Sequence, residues 1–195
     1  MQILENNKKE IEAKAEKMSD FLKMEYLESC VQKFNDIEIR RYCYYELSKL
    51  YENKKMYSEA IKYLSKFREL CILRKEVVEV IFKEIELFIK NGNYDGAEIF
   101  YKNSLKELNE KEKFELKRKI IECYKKEIED AEKTNKISKL LKACEKLIHH
   151  VVDKERNDIK KKIANAYKKL GKVREYLEIE KELEREKILS QSDSF

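Results

Sequence analysis

Apolar residues between positions 42 and 67 recur at intervals of three and four, which places them along one face of a helix. Two such faces follow each other, the first with Tyr44, Leu47 and Tyr51 and the second with Ala60, Leu64 and Phe67. The segment between them, 52–58, is polar apart from Met56 and Tyr57 and predicts a turn. A residue as small as Ala60 lets two antiparallel helices approach closely. The pattern therefore predicts a helical hairpin.

The same hairpin pattern recurs along the chain, which is typical of repeat proteins. Phe88, Tyr94 and Ala97 stand 37 residues after Tyr51, Tyr57 and Ala60. A later copy begins at 163, and a weaker copy runs from 114 to 147. The aromatic residues that anchor the first helix of the four copies are Tyr51, Phe88, Tyr124 and Tyr167.

These units resemble the tetratricopeptide repeat (TPR) family. The unit of that family is a helical hairpin with a small and an aromatic residue in its first helix, and an alanine at the start of its second helix. Two units match well, through Ser48, Tyr51, Tyr57 and Ala60 and through Phe88, Gly92, Tyr94, Ala97 and Tyr101. The third matches through Ile120, Ile121 and Tyr124, and the last through Ala164, Tyr167 and Gly171, with Tyr176 in the place of the alanine.

The resemblance implies an all-α fold, a right-handed α-solenoid of about five antiparallel helical hairpins. We expect a single helical-repeat domain over residues 1–189, with a degenerate N-terminal hairpin at 1–35 and TPR-like hairpins at 36–189. Residues 190–195 should form a frayed tail. Asn109, followed three residues later by Glu112, predicts a capped helix start.

Composition supports a helical protein and bears on its partners and its location in the cell. The chain has no proline and only three glycines, and 43% of its residues are charged. The net charge of +5 is a small excess of 44 basic over 39 acidic residues, so it argues only weakly for nucleic acid or a membrane surface. The five cysteines are dispersed and predict reduced thiols in a cytoplasmic protein. No apolar segment is long enough to span a membrane, and the N-terminus does not read as a signal peptide.

No set of residues predicts catalysis, a cofactor or a metal site. The two histidines, His149 and His150, are adjacent and follow Cys144, but no matching Cys or His elsewhere completes a set of ligands. The glycines of the segment NGNYDG belong to a hairpin turn rather than to a phosphate-binding loop. We therefore expect a protein that is not an enzyme.

The TPR resemblance also implies that the first helix of each hairpin lines a concave ligand groove. In the N-terminal half the candidate ligand residues are Tyr42, Tyr45, Lys49 and Phe82. In the C-terminal half they are Arg118, Lys119, Lys125, Lys126, Lys161, Lys162, Asn165, Lys168 and Lys169. The C-terminal half of this face carries eight basic and three acidic residues, which favours an anionic ligand. A solvated lysine-rich face would give the same pattern.

The leading interpretation is a non-catalytic scaffold or adaptor that binds a peptide or helix of a partner protein in this groove. The basic half leaves an acidic peptide, a terminal carboxylate and a nucleic-acid backbone open as the ligand. The alternative is an RNA- or DNA-binding helical repeat protein that uses the basic C-terminal half. Neither interpretation requires a membrane, and neither fixes the oligomeric state.

Overall fold

Ten α-helices account for most of the residues that the structure, a computed structural model, describes: residues 3–192, with side chains to Glu186. They are α1 (Lys8–Ala15), α2 (Asp20–Lys33), α3 (Ile37–Asn53), α4 (Tyr57–Glu69), α5 (Arg74–Lys90), α6 (Tyr94–Ser104), α7 (Glu110–Lys133), α8 (Ile137–Leu147), α9 (Asp153–Lys169) and α10 (Val173–Ser192). No strand occurs in this part of the chain. The all-α prediction is confirmed.

Helices that follow each other along the chain pack against each other as hairpins. α1 contacts α2, α3 contacts α4, α7 contacts α8 and α9 contacts α10. Phe88 of α5 contacts Phe100 of α6, with ring centroids 5.6 Å apart. Ala60 and Ala97, the small residues of the repeat pattern, are fully buried near the start of α4 and α6. The predicted helical hairpins are therefore confirmed.

Contacts divide the chain into two compact units. The first unit comprises Met1–Asn93 and Ile99–Leu108, and the second comprises Tyr94–Glu98 and Asn109–Phe195. The single domain over residues 1–189 stays a prediction. Helix α10 extends to Ser192, so residues 190–192 of the expected tail are helical, and 193–195 lie outside the described residues.

Four hairpin turns share one backbone conformation. A residue with positive φ follows the first helix of each: Lys55 at 60°, Gly92 at 72°, Asn135 at 53° and Gly171 at 70°. In each turn the next amide donates a hydrogen bond to the carbonyl oxygen five residues earlier; those oxygens belong to Tyr51, Phe88, Ala131 and Tyr167. This is the bonding by which many helices end in a left-handed residue. The four hairpins therefore share one turn geometry.

This shared turn corrects the alignment of the third repeat. The sequence pattern placed Tyr124 in register with Tyr51, but the structure puts Ala131 at that position, seven residues later. Seven residues are about two helical turns, so Tyr124 lies on the same face of α7, further from the hairpin turn. The difference arises because α7 has 24 residues, whereas α3, α5 and α9 have 17 each.

The predicted start of α7 is confirmed. The Asn109 side chain accepts a hydrogen bond from the Glu112 amide at 3.0 Å, and the Glu112 carboxylate accepts one from the Asn109 amide at 2.9 Å. Together they satisfy two amides that the helix itself leaves without partners.

Candidate functional site

A groove of the first unit lies between α3 and α5 and reaches down to α4. It has a volume of about 640 Å³. Its lining residues are Lys8, Glu38, Arg41, Tyr42, Tyr45, Ser48, Lys49, Glu52, Leu64, Phe67, Glu76, Glu79, Val80, Lys83 and Leu87. We refer to this surface as the first-unit groove.

The floor of the first-unit groove is apolar and aromatic. Phe67 and Leu64 of α4 and Val80 and Leu87 of α5 are buried there. Tyr45 stands on the α3 side, 45% exposed, with its ring centroid 5.1 Å from that of Phe67. An exposed aromatic ring beside a buried one offers a contact surface for an apolar side chain.

Tyr42 lies one helical turn before Tyr45 in the same groove and is half-buried. Burial is the main cause that raises the pKa of Tyr42 above its ordinary value, and the nearby Glu46 carboxylate adds to the effect. The phenol therefore stays neutral at physiological pH and can serve as a hydrogen-bond donor.

Ion pairs join the two long walls of the groove. The Arg41 guanidinium of α3 donates from one nitrogen to both carboxylate oxygens of Glu76 of α5, at 2.7 and 2.8 Å. Near the other end, Lys83 and Lys90 of α5 donate to Glu52 of α3, at 2.7 and 3.0 Å. These contacts hold the walls in position before any ligand arrives.

The predicted ligand residues of the N-terminal half are placed as follows. Tyr42, Tyr45 and Lys49 line the first-unit groove. Phe82 is half-buried on α5 and does not line it. The sequence pattern missed Arg41 and Phe67 as groove residues, although Phe67 had been identified by its helical spacing as an apolar position.

The second unit has a smaller groove of about 180 Å³. Its lining residues are Glu132, Asn135, Ile137, Leu140, Lys162, Asn165, Ala166 and Lys169. Of the predicted ligand residues, Lys162, Asn165 and Lys169 are thus brought together. Lys162 is bonded to Glu132, an acidic residue that the shifted alignment of α7 had left out of the predicted groove.

The remaining basic residues of the predicted site lie outside that small groove, and several are paired with carboxylates. Arg118 is 3.6 Å from Glu122 and Lys161 is 3.2 Å from Asp158, both in exposed ion pairs. Lys125 of α7 is bonded to Glu155 of α9.

Three further lysines complete the predicted set. Lys168 lies 5.9 Å from the ring centroid of Tyr176. Lys119 is half-buried on α7, and Lys126 is exposed at the surface. Much of the positive charge expected on α7 and α9 is therefore balanced by neighbouring carboxylates.

One of the two histidines, His150, belongs to a buried polar cluster in the second unit. Glu98 accepts a hydrogen bond from the Tyr124 hydroxyl at 2.9 Å, and its Oε1 lies 2.8 Å from Nε2 of His150. Burial alone would raise the pKa of Glu98, but the bonds from His150 and Tyr124 lower it overall. No group of three or more Cys, His, Asp or Glu that could hold a metal ion occurs in the described part of the chain.

The repeated turn, the buried alanines and the paired helices together define the fold. The chain has a TPR-like helical repeat fold. No protein-family model matches the sequence, and no curated protein matches it. In the residues that the structure describes, no helix is both long and apolar enough to cross a membrane.

Solved structures of TPR-like repeats show a distant similarity. A crystal structure of nearly identical TPR-like repeats, assigned to a kinesin light chain of Podosopora anserina, has a TM-score of 0.38 and 14% identity over 94% of both chains. A substituted form of the same protein gives the same values. BtubC (BKLC) from P. vanneervenii has a TM-score of 0.36 and 13% identity, over 96% of this chain and 81% of its own. Because these TM-scores and identities are low, the description of the fold rests on this chain's own helices and turns.

Proposed function

We propose that this protein is a non-catalytic scaffold or adaptor that binds a peptide or helical segment of a partner protein in the first-unit groove. The observation that carries the proposal is an apolar, aromatic floor between two helices that are joined by ion pairs. A volume of about 640 Å³ lies within the range of pockets that bind compact ligands. Exposed aromatic residues such as Tyr45 are typical anchors of protein interfaces.

The lining of the groove supports binding rather than chemistry. It contains no histidine or cysteine among the described residues, and its one serine, Ser48, donates its proton to the Tyr45 carbonyl oxygen at 2.7 Å. A serine nucleophile needs an adjacent base to accept that proton. Arg41 and Lys83 already have carboxylate partners across the groove, which lowers the cost of ordering these side chains on binding.

An anionic partner bound by α7 and α9 is the less supported proposal. Lys125, Lys161 and Lys162 each contact a carboxylate, so an acidic peptide or a nucleic acid would have to displace those carboxylates. We also propose a cytoplasmic location, because all five cysteines are free thiols.

The proposal is tested by selecting binding peptides from a phage-displayed library of random short peptides, with the full chain as the target. Tyr45→Asp places a charge on the groove wall, whereas Phe114→Asp places one at an exposed aromatic residue of the second unit, 70% exposed. We expect the enriched peptides to bind Tyr45→Asp about tenfold or more weakly and to bind Phe114→Asp like the wild type.

Circular dichroism should show the same helix content in all three proteins. Equal affinity for Tyr45→Asp and the wild type would contradict the proposed location of the site. The absence of any enriched peptide would contradict the proposed function itself.

A further inference from the structure

The two walls of the first-unit groove run side by side in the same direction. The ion pairs fix this arrangement, because Arg41 near the start of α3 meets Glu76 near the start of α5. Glu52 near the end of α3 meets Lys90 at the end of α5. The groove therefore has one end at the starts of both helices, which we call its N-terminal end, and another at their ends.

Charges at the far end of the groove are balanced. Lys49 is 2.9 Å from Glu46 on its own helix. Lys83 is 2.7 Å from Glu52 and 3.4 Å from Glu86. Each basic side chain at this end thus has at least one carboxylate within ion-pair distance, so this end offers little net charge to a ligand.

The N-terminal end has an excess of negative charge. Among the residues that the structure describes, Glu38 has no ion-pair partner, and it is exposed. Glu79 is 66% exposed, and in the described part of the chain its one ion pair is a loose one with Lys75, at 3.8 Å. The two cations that line this end of the groove are already engaged, because Arg41 binds Glu76 and Lys8 lies 3.6 Å from Glu12 of its own helix.

This negative charge lies next to the aromatic residues. Glu38 precedes Tyr42 by four residues, which puts the two side chains on the same face of α3. Glu79 follows Glu76 by three residues on the facing wall, and both line the groove together with Tyr42 and Tyr45. A positively charged side chain placed here would meet the Glu38 and Glu79 carboxylates. The ring face of Tyr45 is already covered by Lys49, whose Nζ lies 5.1 Å from the ring centroid.

We propose that the first-unit groove selects segments in which a lysine or arginine lies next to an apolar or aromatic anchor. The anchor rests on Phe67 and Tyr45, and the cation lies at the N-terminal end with Glu38 and Glu79. This inference rests on the proposed function and names the chemistry of the partner. It reverses the preference for acidic partners expected from the basic residues of α7 and α9.

Two probes test the inference: the most enriched peptide from the display selection, and a copy in which every lysine and arginine is replaced by glutamine. Their affinities are measured by fluorescence anisotropy on the full chain, on the double variant Glu38→Gln/Glu79→Gln and on the control Glu129→Gln/Glu184→Gln. The control removes two exposed carboxylates from helices of the second unit.

We expect the wild type to bind the basic probe about fivefold or more tightly than its neutral copy, a preference that weakens as salt is added. The groove variant should lose that preference, and the control should keep it. The inference is overturned if the enriched peptides lack basic residues, or if the groove variant keeps the preference. A peptide that is sensitive to Tyr45→Asp but indifferent to charge would overturn this inference alone and leave the proposed function standing.

Discussion

Glu84 of α5 is a carboxylate that is almost completely withdrawn from solvent, with 1% of its surface exposed. Its Oε2 atom lies 2.8 Å from Nε of Arg68, whose guanidinium also lies 5.4 Å above the ring centroid of Phe100. Burial raises the pKa of Glu84 from 4.5 to about 7, although Arg68 acts in the opposite direction. A buried carboxylate with one cationic partner is thus a site where protonation affects stability.

The first prediction concerns Glu84→Gln. Since the folded state binds this proton more tightly than the unfolded chain, the proton stabilises the fold fully below about pH 4.5, and this contribution is lost as the pH rises through about 7. The free energy of unfolding of the wild type, measured against Glu84→Gln in urea, should therefore fall between those values. The exposed Glu69→Gln serves as control. If the difference in the free energy of unfolding between the wild type and Glu84→Gln does not change with pH, the raised pKa of Glu84 is contradicted.

Two of the aromatic anchors of the repeats are tyrosines whose hydroxyl groups donate hydrogen bonds to glutamates. Tyr51 donates to Glu28 of α2 at 2.6 Å, and Tyr167 donates to Glu145 of α8 at 2.8 Å. Burial, aided by the bond, raises the pKa of each phenol to about 12. Phe88 holds the same turn position in its own repeat without a hydroxyl group, and contacts Phe100 instead. The spacing predicted an aromatic residue, whereas the partner glutamates are more than 20 residues away and gave no signal.

The hairpin turn is the element that repeats most faithfully. Left-handed backbone suits glycine, which occupies two of the four turns, whereas Lys55 and Asn135 adopt it with side chains. Apart from the glycine and its two neighbours in the chain, no atom lies within 4 Å of the place where a Cβ would stand on Gly92 or Gly171. The preference for glycine there comes from the backbone alone.

The second prediction follows from this turn. Gly92→Ala should lower the free energy of unfolding by about 1–2 kcal/mol, because alanine resists positive φ. Gly92→Asn should lower the free energy of unfolding by less than Gly92→Ala does, because asparagine tolerates positive φ better than alanine. Lys55→Gly should raise stability by about 0.5–1 kcal/mol. Urea unfolding measures all three, and equal stability of Gly92→Ala and the wild type would mean that the turn is not held in this conformation.

The sequence predicted the hairpins better than their register. Ala60 and Ala97 mark the close helix contacts, and Gly92 marks its turn, so those repeats could be aligned. In α7 the residue at the anchor position is Ala131, which has no aromatic signature, and the left-handed residue is Asn135 rather than glycine. The aromatic spacing therefore points to Tyr124, two turns earlier, as the anchor. The shift removed Glu132 from the predicted groove and made the basic face look less balanced than it is.

The charge of the whole molecule is nearly balanced, with 44 basic and 39 acidic residues. Ion pairs between helices, such as Lys125 with Glu155 and Lys162 with Glu132, join residues 30 positions apart. The sequence pattern does not reveal such pairs, because the carboxylate partner of each lysine lies on another helix. We therefore expect partner choice to depend on the local chemistry of the first-unit groove rather than on the total charge.

Binding in the first-unit groove is tested most directly by a nuclear magnetic resonance map of backbone amide shifts in the full chain, recorded with and without the most enriched peptide. We expect the largest changes around the groove, at Tyr42, Tyr45 and Lys83, with the amides of α7 and α9 nearly unchanged. Largest changes on α7 and α9 would contradict binding in the first-unit groove and transfer the binding site to the basic helices of the second unit.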